Sequence, residues 1–558
     1  MRVTLHSLLP AQDAAQRALF DSPVKPDPAE GTVPVTQGAV VYPGGHFRSE
    51  THVARRLAHL DGRTGLDPAL GRVRAGLQEF LRHENAFAPL APEQRANLDA
   101  AASPAAVFML TGQQPGLLGG PILWYYKALT CAALAREWSA RLKRPVIPVF
   151  WVAGDDSDLD ECNHVELLDR RAADAHGDLR LPFPDAYRQL AMGERRVDAG
   201  AFADLLKRLG AIWSPEAADT MRRAYPVPST LSSGFLRLAQ AQLGREGILF
   251  VDGYSRNLRT LSRPVLERAI AEREAWQARL RQGTAAAEEA GIPAQVELRE
   301  GVVHAFALRA GERHRLFGER KQSRDTLYTP DRPGHDLGQA IGALELTHDV
   351  FSRPLVADRI FPVLGHVLGP AELRYFAQMA PLFLAHTGDM PLVHPRMTAA
   401  IAPAAAFEEF RAEGFDVPEA VRFGPASLRV RLSERAWQAH PASAALTPAL
   451  AEKWFAAPHK LHARFFRDAG PMERFEREAA AAWKRYLRSM ERAQYAAIAP
   501  AKRALFDHLR WLGNGMGQDR HLGLGSLLSA IGRESFDGLR AAVDPTATEM
   551  QLLKYGGE

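Results

Sequence analysis

Residues 111–121 read TGQQPGLLGGP, residues 148–164 read PVFWVAGDDSDLDECNH, and one long amphipathic pattern lies between them. The apolar run AVFML (Ala106–Leu110) precedes the first loop, and ILWYYKALTCAALAREW (Ile122–Trp138) follows it with apolar residues every three or four positions. A second apolar run, VIPVFWV (Val146–Val152), ends at the acidic loop. Strand, loop, helix, strand is a βαβ unit, which predicts a parallel sheet with a right-handed crossover and places the chain in the α/β class. Both loops then sit at the carboxyl ends of strands, where an open α/β sheet has its ligand crevice.

Outward from this unit, ILFVDG (Ile248–Gly253) predicts a further strand, and residues from about 166 to 245 read as an insertion of helix and loop. A second insertion, about 285–330, holds AQVEL, GVVHAFAL and HRLFG between Ala294 and Gly318, which alternate like a small antiparallel patch. Helix returns around Ala371–Ala385. From Pro471 to Leu512 the residues Phe475, Ala479, Trp483, Tyr486 and Met490, then Ala501, Leu505, His508 and Leu512, recur at helical spacing, with Pro500 as a break. These predict long helices in a coiled coil. The expected organisation is a catalytic core over residues 1–402, a helical coiled-coil and dimerisation domain over 403–520, and a segment 521–558 that packs back on the core.

A chain of 558 residues, 46% hydrophobic and 24% charged, can bury a large core. Its net charge of +4 is spread over 69 basic and 65 acidic residues, so no basic arm points to nucleic acid or membrane as a partner. Cys131 and Cys162 are the only cysteines, too few for a disulfide framework or a thiolate zinc site, which fits a reducing compartment. MRVTLHSLLP lacks a signal core and no apolar run is long enough to span a bilayer. A cytoplasmic location is expected.

In the first loop, Gly112, Gly116, Gly119 and Gly120 permit positive φ and close approach of a ligand to the backbone. Pro121 suits the first turn of a helix beginning near Ile122, whose free N–H groups would favour a phosphate or carboxylate. Thr111, Gln113 and Gln114 add donors and acceptors. The loop is neither a P-loop nor G-x-G-x-x-G, a ligand-free βα turn is an equal reading, and Lys127 lies two turns into the helix, too deep for the usual phosphate lysine. The second loop packs Asp155, Asp156, Asp158, Asp160, Glu161 and His164 into ten positions. A helix from Asp155 would put Ser157, Glu161 and His164 on one face. Capping needs one or two acids, and five suggest holding an ammonium group, binding Mg²⁺ beside a nucleotide, or taking a proton from an amine.

These two loops, with RPLVADRIFPVLGHVLGPAELRYFAQMAPLF (Arg353–Phe383) and MPLVHPR (Met390–Arg396), resemble in order and spacing the family of the bacillithiol biosynthesis enzyme BshC, a cysteine-adding ligase. The likeness extends over most of the chain. It implies a Rossmann-like core similar to nucleotidyltransferases and class I aminoacyl-tRNA synthetases, with connecting insertions and a coiled coil that makes a homodimer. The implied reaction joins the carboxyl of L-cysteine to the amine of glucosaminyl malate, the last step of bacillithiol synthesis. By position, Gly112–Pro121 and the acids Asp155, Asp156, Asp158, Glu161 and His164 would lie in the active cleft. Gly369, Pro370, Glu372, Tyr375 and Gln378 would approach from the other half of the sheet. Two departures stand out: Ser157 replaces the family's usual histidine, which weakens any mechanism that needs that histidine, and His366 replaces a tyrosine.

A carboxylate must be activated, as an acyl phosphate or acyl adenylate, before an amine attacks it; the activating cosubstrate is left open by the sequence, with ATP and Mg²⁺ as one candidate. One of the loop acids or His164 would accept the amine's proton, and Arg374 or Arg396 would hold the carboxylates of glucosaminyl malate through paired hydrogen bonds. A nucleotidyltransferase-like or metal-dependent enzyme with another small substrate, or a non-catalytic scaffold, is the alternative reading.

Overall fold

The computed structural model describes residues 3–9, 41–66, 68–166, 178–184, 188–321, 324–329, 344–438 and 522–556, with single positions between 15 and 19 and between 474 and 518. Val107–Gln113 (β1), Leu123–Leu142 (α1) and Val146–Val152 (β2) form the expected βαβ unit, and the chain returns to the sheet at Leu249–Asp252 (β3). Arg256–Ala271 (α2) and Arg273–Glu289 (α3) follow. Next come four strands: Val302–Arg309 (β4), Glu312–Lys321 (β5), Arg324–Tyr328 (β6) and Glu345–His348 (β7). Ser352–Ile360 (α4), Val363–Leu368 (β8), Pro370–Thr387 (α5) and Leu392–Pro395 (β9) complete the core.

The central sheet has the order β9-β8-β1-β2-β3, and every neighbouring pair is parallel. Helices cover both faces of such a sheet, so β2 is buried at every position and reads as one apolar run instead of an alternation. From β1 the chain adds β2 and β3 on one side, then β8 and β9 on the other. The loops that follow β1 and β8 therefore part from each other, and the crevice opens between them. The strands β7, β4, β5 and β6 form an antiparallel sheet in that order. AQVEL joins neither sheet: the backbone amides of Gln295 and Val296 donate to the side-chain oxygen of Gln378, at 3.2 and 3.1 Å.

The first loop departs from its expected form. Leu117–Gly119 makes one 3₁₀ turn, with Gly119 at φ +92° and Gly120 at φ +57°. The hydroxyl of buried Tyr225 accepts from the Leu118 amide at 3.1 Å. Pro121 pairs with Gly523 in an isolated bridge, and the Ile122 amide donates to Leu522 O at 2.8 Å. The Ile122 amide is thus taken by the chain itself, while Leu123, the first residue of α1, lines a cavity.

The chain divides into two compact units, residues 1–399 with 519–551, and residues 400–518 with 552–558. The first holds both sheets. The second includes the helices Ala404–Ala412 and Val417–Gln438, which bury Phe407, Phe410, Val421 and Leu432. The coiled coil expected over 471–512 falls largely outside the described residues. Among the described residues, no helix is long and apolar enough to cross a membrane.

Candidate active site

A cavity of about 870 Å³ occupies the crevice. Gly112, Gln113 and Gln114 line it after β1, Asp156 and Glu161 after β2, and Gly369, Pro370, Glu372 and Tyr375 after β8. Gly112 has a packing reason to be glycine, because a Cβ there would lie 2.5 Å from Trp151 O on the neighbouring strand. Arg396 reaches the cavity from the end of β9.

Lys127, set aside in the sequence as too deep in the helix, is at the centre of this arrangement. Its Nζ lies 2.6 Å from Glu372 Oε2 and donates to Gly112 O at 2.9 Å and Gln113 Oε1 at 2.8 Å. Burial lowers the proton affinity of Lys127, and the Glu372 carboxylate opposes this. Glu372 also accepts from the Gly369 amide at 2.6 Å, in keeping with an acid in the first turn of α5.

The two adjacent carboxylates of the acidic loop point to different surroundings. Asp156 lines the cavity, accepting from Arg313 at 2.9 Å and from Gln114 Nε2 at 2.9 Å. Asp155 is fully buried and outside the cavity lining; its Oδ2 accepts from Thr347 Oγ1 at 2.8 Å and lies 3.1 Å from His348 Nδ1. Burial alone would raise its pKa, yet His348, Arg313 and Arg353 outweigh that and hold the carboxyl well below the usual range. It is a positioning residue that ties the end of β2 to β7.

Glu161 also lines the cavity. Withdrawal from water pushes its pKa up, the nearby charges of Asp158 and Asp156 push the same way, and a hydrogen bond to Gln114 opposes them. The expected helical face does not form, since the helix is the single turn Leu159–Cys162 and His164 belongs to the strand His164–Glu166 paired with Asp178–Arg180. His164 is outside the cavity lining, and Asp158 caps the short helix by accepting from Glu161 N at 3.4 Å.

Several other expected residues also lie behind the lining. Thr111 donates to Val367 O at 2.8 Å, pinning β1 to β8. Gly116, Gly119 and Gly120 are buried in the turn below. Gln378 holds the cavity wall formed by Gln295, Val296 and Leu298, and Arg374 sits outside it.

Sequence reading missed the far wall. Arg313 and Arg315 on β5 lie over the Phe306 ring, 3.7 and 4.5 Å from its centre, and the His304 ring lies 2.7 Å from Asp349. With Arg353 they all line the cavity. The strand pattern of HRLFG (His314–Gly318) with the residue before it was the only available signal, since Arg313 and Arg315, two positions apart, share one face of a strand.

The sequence profile of the bacillithiol biosynthesis BshC N-terminal Rossmann-like domain matches residues 44–397. A relative from Solibacter usitatus, named "Putative cysteine ligase BshC", is 29% identical over 364 residues, 65% of this chain and 66% of the relative. Relatives of the same name from Salinibacter ruber, 28% identical over 351 residues, and Heliobacterium modesticaldum, 31% over 313, cover 58% and 52% of this chain and 60% and 54% of their own lengths. The matched region spans two thirds or less of each of these relatives. Since the profile runs from ahead of β1 to just past β9 and takes in the whole crevice, the chain belongs to the BshC family.

Proposed function

We propose that the cavity joins L-cysteine to the amine of glucosaminyl malate, forming the amide bond of bacillithiol. What supports this reading is the presence, in one cavity, of a carboxylate with raised proton affinity, Glu161, together with the cations Lys127, Arg313 and Arg396. Glu161 takes the proton of the attacking amine, for which a raised carboxyl pKa is the right adjustment. The cations hold the negative charge of the activated cysteine carboxyl and of the acceptor. If ATP is the activator, its phosphates meet these cations. Magnesium beside phosphates needs one or two protein carboxylates, and Asp156 in the cavity lining would supply one.

The test is to delete the gene in a host without a second copy and measure the thiol pool, then complement with wild type and with Glu161→Gln. Loss of bacillithiol with accumulation of glucosaminyl malate, rescued by wild type alone, is expected. An unchanged thiol pool in the deletion strain refutes the reading. The same reading includes a homodimer through the helices of residues 471–512, with the 1–402, 403–520 and 521–558 division of the chain, and a wild-type protein that sediments as a monomer at micromolar concentration refutes the dimer.

A further inference from the structure

We propose that Arg353, aided by the hydroxyl of Tyr375 in the same cavity lining, is the residue that reads the dicarboxylate arm of the acceptor, gripping one carboxylate in its guanidinium fork. The inference rests on the ligase reading of this cavity and deepens it.

Among the described residues, charge pairing along the lining leaves Arg353 and Arg315 without an ion pair, and of the two Arg315 lies over the Phe306 ring. Lys127 is paired with Glu372 at 2.6 Å, Arg313 with Asp156 at 2.9 Å, and His304 with Asp349 at 2.7 Å. Arg353, in the first turn of α4, also lines the cavity. Among the described residues its guanidinium has no ion-pair or hydrogen-bond partner, and its Nε is sealed from solvent without one. Holding an unpaired guanidinium in partial burial is costly unless an anion completes the site. The surroundings still keep it charged: burial works against the cation, and Asp155, Tyr375, Asp156 and Glu372 together outweigh it.

Tyr375 also lines the cavity, and burial drives its hydroxyl pKa upward, so it remains a donor. The charges of Arg353 and Arg396 also act to lower the pKa of Lys127, and all three cations line the cavity. A ligand arm that carries carboxylates suits these cations. A planar fork grips a carboxylate bidentately where an ammonium offers only a point charge. A phosphoryl group of the activator shares this chemistry, so the test separates the two sources.

Isothermal titration on the full chain would compare glucosaminyl malate, methyl glucosaminide, L-malate and inorganic pyrophosphate as ligands. Arg353→Gln should weaken glucosaminyl malate and L-malate about ten- to a hundredfold while leaving methyl glucosaminide unchanged. Arg353→Lys, which keeps the charge and serves as the folding control, should fall between. Undiminished affinity of Arg353→Gln for glucosaminyl malate overturns the inference, as does a loss confined to pyrophosphate. Wild-type binding of L-malate through Arg353 without binding of glucosaminyl malate upholds the dicarboxylate site and removes the ligase reading. Failure of the wild type to bind either one overturns both.

Discussion

The Lys127 ammonium lies 2.6 Å from the Glu372 carboxylate, and this contact joins the helix after β1 to the helix after β8 across the point where the order of strand addition reverses. Lys127 is 4% exposed at its side chain and Glu372 22%, so removing one partner strands a charge that water cannot reach. Glu372→Gln should destabilise the fold by about 3 kcal/mol in denaturant unfolding. Adding Lys127→Met should recover part of that loss. Equal stability of wild type and Glu372→Gln would show that the pair is not coupled.

Glu161 should set the acidic limb of the rate profile. A base must be deprotonated to act, and burial raises this carboxyl, so activity should rise with pH at values above those of an ordinary glutamate. Glu161→Gln should lose about a hundred- to ten-thousandfold in kcat together with that limb. An unaltered pH profile in the variant assigns the proton to another group.

Asp252 predicts a pH effect on stability. Burial raises its pKa to about 6, while hydrogen bonds from Ser232 and the Tyr254 amide oppose this. For a carboxyl raised in the folded state, the stabilisation is complete below its unfolded pKa, near 3.9, and disappears as pH rises through about 6. Asp252→Asn keeps an acceptor for the Tyr254 amide, donates to the Ser232 hydroxyl in place of accepting from it, and should abolish that decline, a difference on the order of 1–2 kcal/mol between pH 4 and pH 7. Parallel stability curves for the two proteins would contradict it.

Gly119 is expected to act through folding. With φ at +92° and a would-be Cβ 3.1 Å from Leu238 Cδ2, Gly119→Ala should cost about 1–2 kcal/mol and lower the melting temperature. Ligand affinity of the folded molecules should not change, because the residue is outside the cavity lining. Weakened binding at full folding would return the loop to the ligand.

The βαβ unit and the crevice were legible because buried parallel strands read as continuous apolar runs, and such strands carry their ligand loops at one end. Which loop residues face the ligand was not legible. Asp155 and Asp156 are neighbours of one chemical type, yet one is sealed against Thr347 and His348 and the other meets the cavity. Lys127 could be judged only by its distance along the helix, and its reach back to Gly112 O depends on how α1 packs on the sheet. Arg313 and Arg353 come from the antiparallel insertion and from α4, and no local spacing links either to residues 111–164.

The wall at Gln295–Leu298 belongs to no sheet, and three hydrogen bonds of the single Gln378 amide group fasten it, two accepted from the Gln295 and Val296 amides and one donated to Val296 O, while a fourth, donated to Thr284, ties Gln378 to α3. This boundary can therefore be rebuilt independently of the catalytic loops. Changing the length or side chains of 295–298 while leaving Gln378 in place offers an engineering route to acceptors of other shapes, with the five parallel strands left untouched.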